Sequence, residues 1–315
     1  MQQRSVGATG LRVSRLGLGT MTWGWDVDEH EARAQLVEFV EAGGTLVDTA
    51  STYGDGASEE LLGSMLGTLV PREEVVVATK AGLSRRGGQR RVDTSRRALL
   101  QTLDASLDRL GTDHVDLWQV HAHDPATPVE EVLGALETAV ATGRARYVGL
   151  SNHAGWQTAE AATWQRAVPG RVPLAAVQVE YSLLNRDVED EVLPAARELG
   201  LGVLPWSPLG RGVLTGKYRT STPAASRAAS DRFAGFVRPY LDESAAQVVE
   251  AVSRAAEGLE WSPLEVALTW VRDRPGVTAP IVGARSASQL RSSLATEDLV
   301  LPGEIMDALD DVSGA

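Results

Sequence analysis

Short apolar runs alternate with stretches of helical spacing along the whole chain. The runs at 15–20, 45–48, 75–80, 115–120, 145–150, 175–179, 202–205 and 277–282 are brief and mostly continuous, which predicts strands buried on both faces. Asp28 opens a predicted helix with Ala32, Leu36, Val37 and Val40 on its inner face, and Gly43 and Gly44 end it. Ser58 reads as the cap of the next helix, and 93–110 carries Leu99, Leu103, Leu107 and Leu110 at helical spacing. Helices follow over 128–141, with Thr127 as cap and Pro128 at the first position, then over 156–167 and 188–199. A long Gly/Ser/Ala/Arg-rich connection spans 210–236, of the kind that forms lids. Helices are expected beyond it over 244–257, 263–272, 286–294 and 302–309. The start of the chain differs: 4–6, a Gly-bounded turn at 7–10, and 11–13 read as a hairpin.

Eight doubly buried strands alternating with helices imply a parallel sheet closed on itself. The expected fold is α/β, a single (β/α)8 TIM barrel with an N-terminal β-hairpin and extra C-terminal helices. No linker separates two different patterns, so residues 1–315 are expected to form one domain.

Composition narrows the function. Lys and Arg number 30 against 42 Asp and Glu, and the net charge of −12 argues against nucleic acid or an anionic membrane as the main partner. The chain has no cysteine, which excludes disulfides, thiolate catalysis and zinc–thiolate sites and suits the cytoplasm. No apolar run approaches membrane length and the first residues lead into no signal-like segment, so a cytoplasmic protein is expected.

Chemistry in such barrels sits at the C-terminal ends of the strands. The second, third and fourth predicted strands end in or near Asp48, Lys80 and His121, and Tyr53 lies five residues past Asp48. These four side chains are expected to converge on one mouth. A phenol with a pKa near ~10 is a weak acid at neutral pH. A neighbouring ammonium favours the phenolate, and Asp48 would keep Lys80 charged and oriented. His121 would donate to a substrate oxygen. Taken singly, Asp48 reads equally as a cap, Lys80 as a solvated strand end, Tyr53 as a packed aromatic and His121 as a structural histidine. His114 and His123 keep that plain reading. Trp23 and Trp25 either line an apolar pocket or pack over the barrel top. Arg232 either reaches a phosphate or is solvated. The arginine pairs 85–86 and 90–91 read as a solvated charged loop.

Together, Asp48, Tyr53, Lys80 and His121 resemble the catalytic tetrad of the aldo-keto reductase superfamily. The surrounding motifs are similar too: Gly43-Gly44-Thr45-Leu46-Val47-Asp48-Thr49-Ala50-Ser51-Thr52-Tyr53-Gly54, and Leu117-Trp118-Gln119-Val120-His121. The likeness runs from Leu16-Gly17-Leu18-Gly19-Thr20 to Gly283-Ala284-Arg285-Ser286. It implies NADP(H) bound across the barrel mouth without a dinucleotide-binding domain, and the chain has no G-x-G-x-x-G at a first strand–helix turn. It further implies that Gly19, Thr20, Met21 and Asp48 border the cofactor, and that Ser151, Asn152 and Gln178 hold the nicotinamide carboxamide. Trp206 would stack on the nicotinamide ring, as in the bacterial and potassium-channel β-subunit branches. Ser207, Pro208, Leu209, Gly210, Gly212 and Lys217 would hold the pyrophosphate. Gly283, Arg285, Gln289 and Ser293 would meet the adenosine end, helped by N–H groups at the start of the 286–294 helix.

Two departures stand out. Ser292 and Ser293 replace the usual Glu and Asn, and Ala122-His123-Asp124 follows His121 where Trp or Pro is common. His153 takes a position that is usually aromatic. The implied activity is NADPH-dependent, reversible reduction of an aldehyde or ketone, on a small-molecule substrate, by a monomer or homo-oligomer needing no metal. Two alternatives are a cofactor-binding regulatory subunit and a Schiff-base barrel using Lys80 as nucleophile. The second leaves Ser151, Asn152, Trp206 and Arg285 without a role.

Overall fold

The structure is a computed structural model and describes residues 1–86, 89–219, 223, 226–230 and 234–314. Eight parallel strands close into a barrel in chain order: Gly17–Gly19, Leu46–Asp48, Val76–Ala81, Val115–Val120, Ala145–Ser151, Leu174–Glu180, Gly202–Trp206 and Ile281–Val282. The ring shuts where Ile281 pairs with Gly17. The eighth strand is shorter than its apolar run suggests. Only Ile281 and Val282 are strand, while Val277 makes an isolated bridge to Val203.

Strand periodicity sorts the side chains. Leu46, Ala78, Leu117, Ala176, Leu204, Ala279 and Ile281 point into the barrel and cluster with Val6 and Val13 of the N-terminal hairpin, Gln3–Ser5 with Arg12–Ser14. That hairpin plugs the bottom of the barrel. The alternate residues, Val47, Val77, Trp118, Val148, Val177 and Val203, face outward into a continuous core shared with the helices. Gly149 marks a close approach inside the ring, because a Cβ there would lie 2.6 Å from the Ala176 carbonyl oxygen.

The helices differ from expectation in detail. Glu29–Glu41 is capped by Asp28 as expected, but its buried face is Ala32, Gln35, Leu36 and Phe39 rather than one including Val37 and Val40. Ser58 caps nothing. It lies inside the first turn of Ala57–Met65, fully buried, and its hydroxyl joins Thr20 (2.7 Å) and Thr49 (3.0 Å) beneath the mouth. The helix expected over 93–110 starts at Arg96, capped by Ser95, and runs to Leu110, with Leu99, Leu103, Leu107 and Leu110 buried. Pro128 itself stands at the cap of Val129–Ala141, and Thr127 turns to Asp124. The stretch 188–199 splits into a short 3-10 turn at Asp187–Glu189 and the helix Val192–Glu198. Pro263–Arg272 opens on a capping box between Ser262 and Glu265. The arginine-rich stretch after Lys80 is an antiparallel hairpin, Leu83–Arg86 with Gln89–Val92, not an irregular loop. Arg232 lies outside the described residues. Among the described residues no helix is long and apolar enough to cross a membrane.

One buried acid ties helix to barrel. Glu59 is fully buried, accepts from Thr79 Oγ1 at 2.5 Å and pairs with Arg109 at 2.6 Å. Glu59→Ala strands a part-buried guanidinium and the Thr79 hydroxyl. A loss of about 2–3 kcal/mol in urea unfolding is expected, below the ~3–5 kcal/mol of a fully buried pair because Arg109 keeps some contact with solvent.

Candidate active site

Asp48, Lys80 and His121 end or follow three neighbouring barrel strands and all lie on the inward parity. The register sets Asp48 beside Ala78 and Lys80 beside Gln119. Each residue of the series therefore stands two positions further along its strand than the one before. Lys80 Nζ donates to Asp48 Oδ2 at 2.7 Å, to the Thr49 carbonyl at 2.9 Å and to Tyr53 Oη at 3.4 Å. Gln178 Nε2 donates to the other Asp48 oxygen at 2.8 Å. His121 stands edge-on to the Tyr53 ring, with centroids 6.1 Å apart and planes at 82°. The four candidates are thus one contact network. Tyr53 sits on a tight turn in which Gly54 has φ +62 and Asp55 φ +54, which swings the phenol back over Lys80.

Electrostatics follow from burial. Burial alone would depress Lys80, but the Asp48 carboxylate and the Tyr53 oxygen outweigh it, and its pKa is raised. Tyr53 departs from expectation. Desolvation in the packed turn raises its pKa, the Lys80 charge pulls it down, Asp48 pushes it up, and the net is upward. The ammonium acts in the expected direction but does not prevail. His121 is driven well below the usual histidine range by burial, then by the charges of Lys80 and Arg90, and is neutral at pH 7. Its Nδ1 is buried without a partner among the described residues, which leaves Nε2 for the cleft. His153 is pushed down to about 4 by burial, and its Nδ1–H donates to the Ser151 carbonyl at 2.8 Å, so it packs as a neutral ring.

A cavity of about 720 Å³ opens above this network and runs across the mouth. Of the residues expected at the cofactor, Gly19, Met21, Asp48, Ser151, Asn152, Gln178, Trp206, Ser207, Pro208, Leu209, Gly212, Lys217, Gly283, Arg285, Gln289 and Ser293 line it, with Tyr53 and His121. Thr20 and Gly210 do not. The Thr20 hydroxyl is buried against the Asp48 carbonyl and Ser58, and Gly210 is buried against Leu184 at φ +54. Lys80 is fully buried and does not line the cavity, but its partners Asp48 and Tyr53 do. Trp25 lines the cavity, whereas Trp23 is buried with its Nε1 donating to Gln35 at 3.1 Å.

Several features fit an extended dinucleotide. Gly212 has φ +92, in the left-handed region that favours glycine, and a Cβ there would lie 3.0 Å from Lys217 Nζ, so the cation sits close over this loop. Ser286 caps Ala287–Leu294, whose N-terminus faces the same end of the cleft as Arg285. Two of the lining side chains are also held by contacts within the protein. Asn152, at φ +57, is engaged within the protein: its Nδ2 donates to the His121 carbonyl at 2.8 Å and its Oδ1 accepts from Trp206 Nε1 at 3.0 Å. Asn152 Oδ1 uses one lone pair on Trp206, and its second is able to accept from a carboxamide N–H with both bonds kept. Trp206 is itself stacked against Phe236, with centroids 6.3 Å apart and planes at 19°. Arg211, missed in the sequence between two glycines, holds this aromatic group. It forms a bidentate pair with Glu180 (2.8 and 2.6 Å), donates to the Phe236 carbonyl at 2.5 Å and lies 4.1 Å from the Phe236 ring centre. Among the described residues no group of His, Asp or Glu is placed to hold a metal ion.

Residues 15–313 match the model of the Aldo/keto reductase family. An uncharacterized oxidoreductase of Bacillus subtilis is 40% identical, covering 99% of this chain and 96% of its own length. A probable voltage-gated potassium channel subunit beta of Oryza sativa is 35% identical over the same shares. The L-glyceraldehyde 3-phosphate reductase of Escherichia coli is 33% identical, over 93% of this chain and 87% of its own. With its barrel, its inward-facing network and matches of this extent, the chain belongs to the aldo/keto reductase family of oxidoreductases.

Proposed function

We propose that the chain reduces an aldehyde or ketone to an alcohol, reversibly, with NADPH as hydride donor and Tyr53 as proton donor. The observation that carries this reading is the contact series Asp48–Lys80–Tyr53, beside His121, at the floor of a cleft that continues to Arg285. An ammonium can only donate, so Tyr53 Oη accepts from Lys80 and its own O–H is left to point into the cleft. Asp48 holds Lys80 charged, and Gln178 holds Asp48. Neutral His121 offers Nε2–H to the substrate oxygen and fixes the carbonyl over the phenol. The nicotinamide, when bound, supplies the hydride to the carbonyl carbon. As that carbon is reduced, the oxygen takes the Tyr53 proton, and Lys80 stabilises the phenolate left behind. Gln178 and Ser151 would hold the carboxamide, Lys217 and the 207–212 loop the pyrophosphate, and Arg285, Gln289 and Ser293 the adenosine 2′-phosphate.

The same reading takes residues 1–315 as one domain working in the cytoplasm on a small carbonyl compound, as a monomer or homo-oligomer, without a nucleic-acid or membrane partner. The potassium-channel relative favours a second reading, a cofactor-binding regulatory subunit with little turnover. Steady NADPH oxidation driven by carbonyl compounds separates the two.

Three outcomes are expected. Tyr53→Phe lowers kcat for reduction by about 10²–10⁴-fold, the range of a lost general acid, while fluorescence titration gives an NADPH Kd within about threefold of the parent. Full turnover by that variant sinks the assignment. In a pH series, kcat/KM for reduction stays level from about pH 6 to 8 and falls only on the alkaline side. The sign follows from the shifts: His121 titrates far below its usual range, whereas Tyr53 and Lys80 keep their protons to higher pH. A transition centred near pH 6.5 contradicts the neutral His121. Finally, Arg285→Ala weakens NADPH by about 10–100-fold and NADH far less, the size of one charge-assisted contact to phosphate. Equal losses for both would remove the 2′-phosphate from that end.

A further inference from the structure

The hairpin Leu83–Arg86 with Gln89–Val92 is the part of the mouth that the proposed reaction leaves unused. Two of its residues, Leu83 and Arg90, line the cleft with Trp25, Thr52, Tyr53 and His121. Arg90 lies close enough for its charge to act on the His121 ring. It has no carboxylate partner among the described residues, unlike Arg211, which Glu180 neutralises. The other cleft guanidinium without such a partner is Arg285, after the eighth strand, at the end assigned above to a phosphate. Arg90 follows the third strand, beside the phenol and imidazole.

The register adds a second observation. Leu83 pairs with Val92 and Arg85 with Arg90, and this register puts Arg90 on the same face of the two-stranded ribbon as Leu83. Arg91 pairs with Ser84 and has the opposite parity, on the side away from Leu83 and Arg90. The hairpin thus presents a cation to the cleft in a protein whose overall charge is −12. Arg90 is a local feature, not part of a general attraction for anions.

We infer that the carbonyl substrate carries an oxyanion, a carboxylate or a phosphate, that Arg90 binds while Trp25 and Leu83 flank the apolar part of the molecule. This inference rests on the reductase reading. Binding involves no covalent step: the guanidinium donates two N–H bonds to the anion and sets the distance from that anion to the carbonyl over Tyr53.

The test compares three aldehydes of one shape with NADPH: 4-carboxybenzaldehyde, 4-formylphenyl phosphate and the neutral methyl 4-formylbenzoate. The parent protein is expected to favour at least one anionic aldehyde over the ester in kcat/KM. Arg90→Gln should lower that preference by about tenfold or more, mainly through KM, as expected for loss of one charge-assisted contact. Arg90→Lys should retain part of it. Arg91→Gln, with the same loss of charge on the opposite face, should leave the preference intact. Whether the carboxylate or the phosphate gains more identifies the kind of anion. An ester reduced as well as both anionic aldehydes, or equal losses in the Gln variants at 90 and 91, overturns the inference alone. Failure to reduce any of the three, or other carbonyl compounds, overturns the reductase reading and this inference with it.

Discussion

An ammonium held where water does not reach governs the mouth of this barrel. Lys80 is fully buried, and a lone charge there would be lost to deprotonation. Asp48 prevents this from 2.7 Å, with the Thr49 carbonyl taking a second N–H. Desolvating the carboxylate is costly as well, and its second oxygen is met by Gln178 from across the ring. Both charges are therefore kept by hydrogen bonds drawn from three separate strands and one loop. Tyr53 completes the set, and its phenol, accepting from Lys80, borders the cleft together with Asp48.

At the end of the cleft proposed for the nicotinamide, the lining side chains hold one another: Asn152 is bonded to Trp206, Trp206 is stacked on Phe236, and Arg211 clamps Phe236 to Glu180. Arg211 holds φ +58, in the left-handed region that side chains rarely adopt, while it bridges a strand end and the short helix Ala234–Val237. These contacts tie the long connection after the seventh strand to the barrel wall. They also place three aromatic rings around one guanidinium, since Tyr240 lies 4.8 Å from it. Held in this way, Trp206 lines the cleft as part of a braced aromatic wall.

Much of this was legible in the chain. Doubly apolar strands and helical spacing identify the closed barrel because burial on both faces has few other solutions. Asp48, Lys80 and His121 were legible as strand-end polar residues, and Tyr53 by its distance from Asp48. What escaped was decided by contacts far apart in sequence. Gln35 and Phe39 take buried positions on the first helix that Val37 does not, with Val40 partly buried against the core, and Gln35 accepts from Trp23. Ser58 has a cap's chemistry, but Thr20 and Thr49 claim its hydroxyl. The net upward shift of Tyr53 needs the packing around the turn, which no spacing reveals. Arg90 looks like part of a solvated loop until strand pairing puts it, with Leu83, on the face that lines the cleft.

The way the network is assembled explains why a barrel suits it. A closed ring of tilted strands must stagger its register, and here that stagger does the placing. Asp48 is level with Ala78, two residues before Lys80, and Lys80 is level with Gln119, two before His121. Steps of two keep every member on the inward parity while raising each above the last. A slip of one residue in the third strand would turn Lys80 outward and Thr79 inward. Thr79 is held outside by Glu59, which Arg109 holds in turn, while Val77 N–H is fixed by Asp116 at 2.8 Å. The polar contacts on the outer face of that strand thus oppose the one register error that would separate Lys80 from Asp48. They act on the site without touching the cleft.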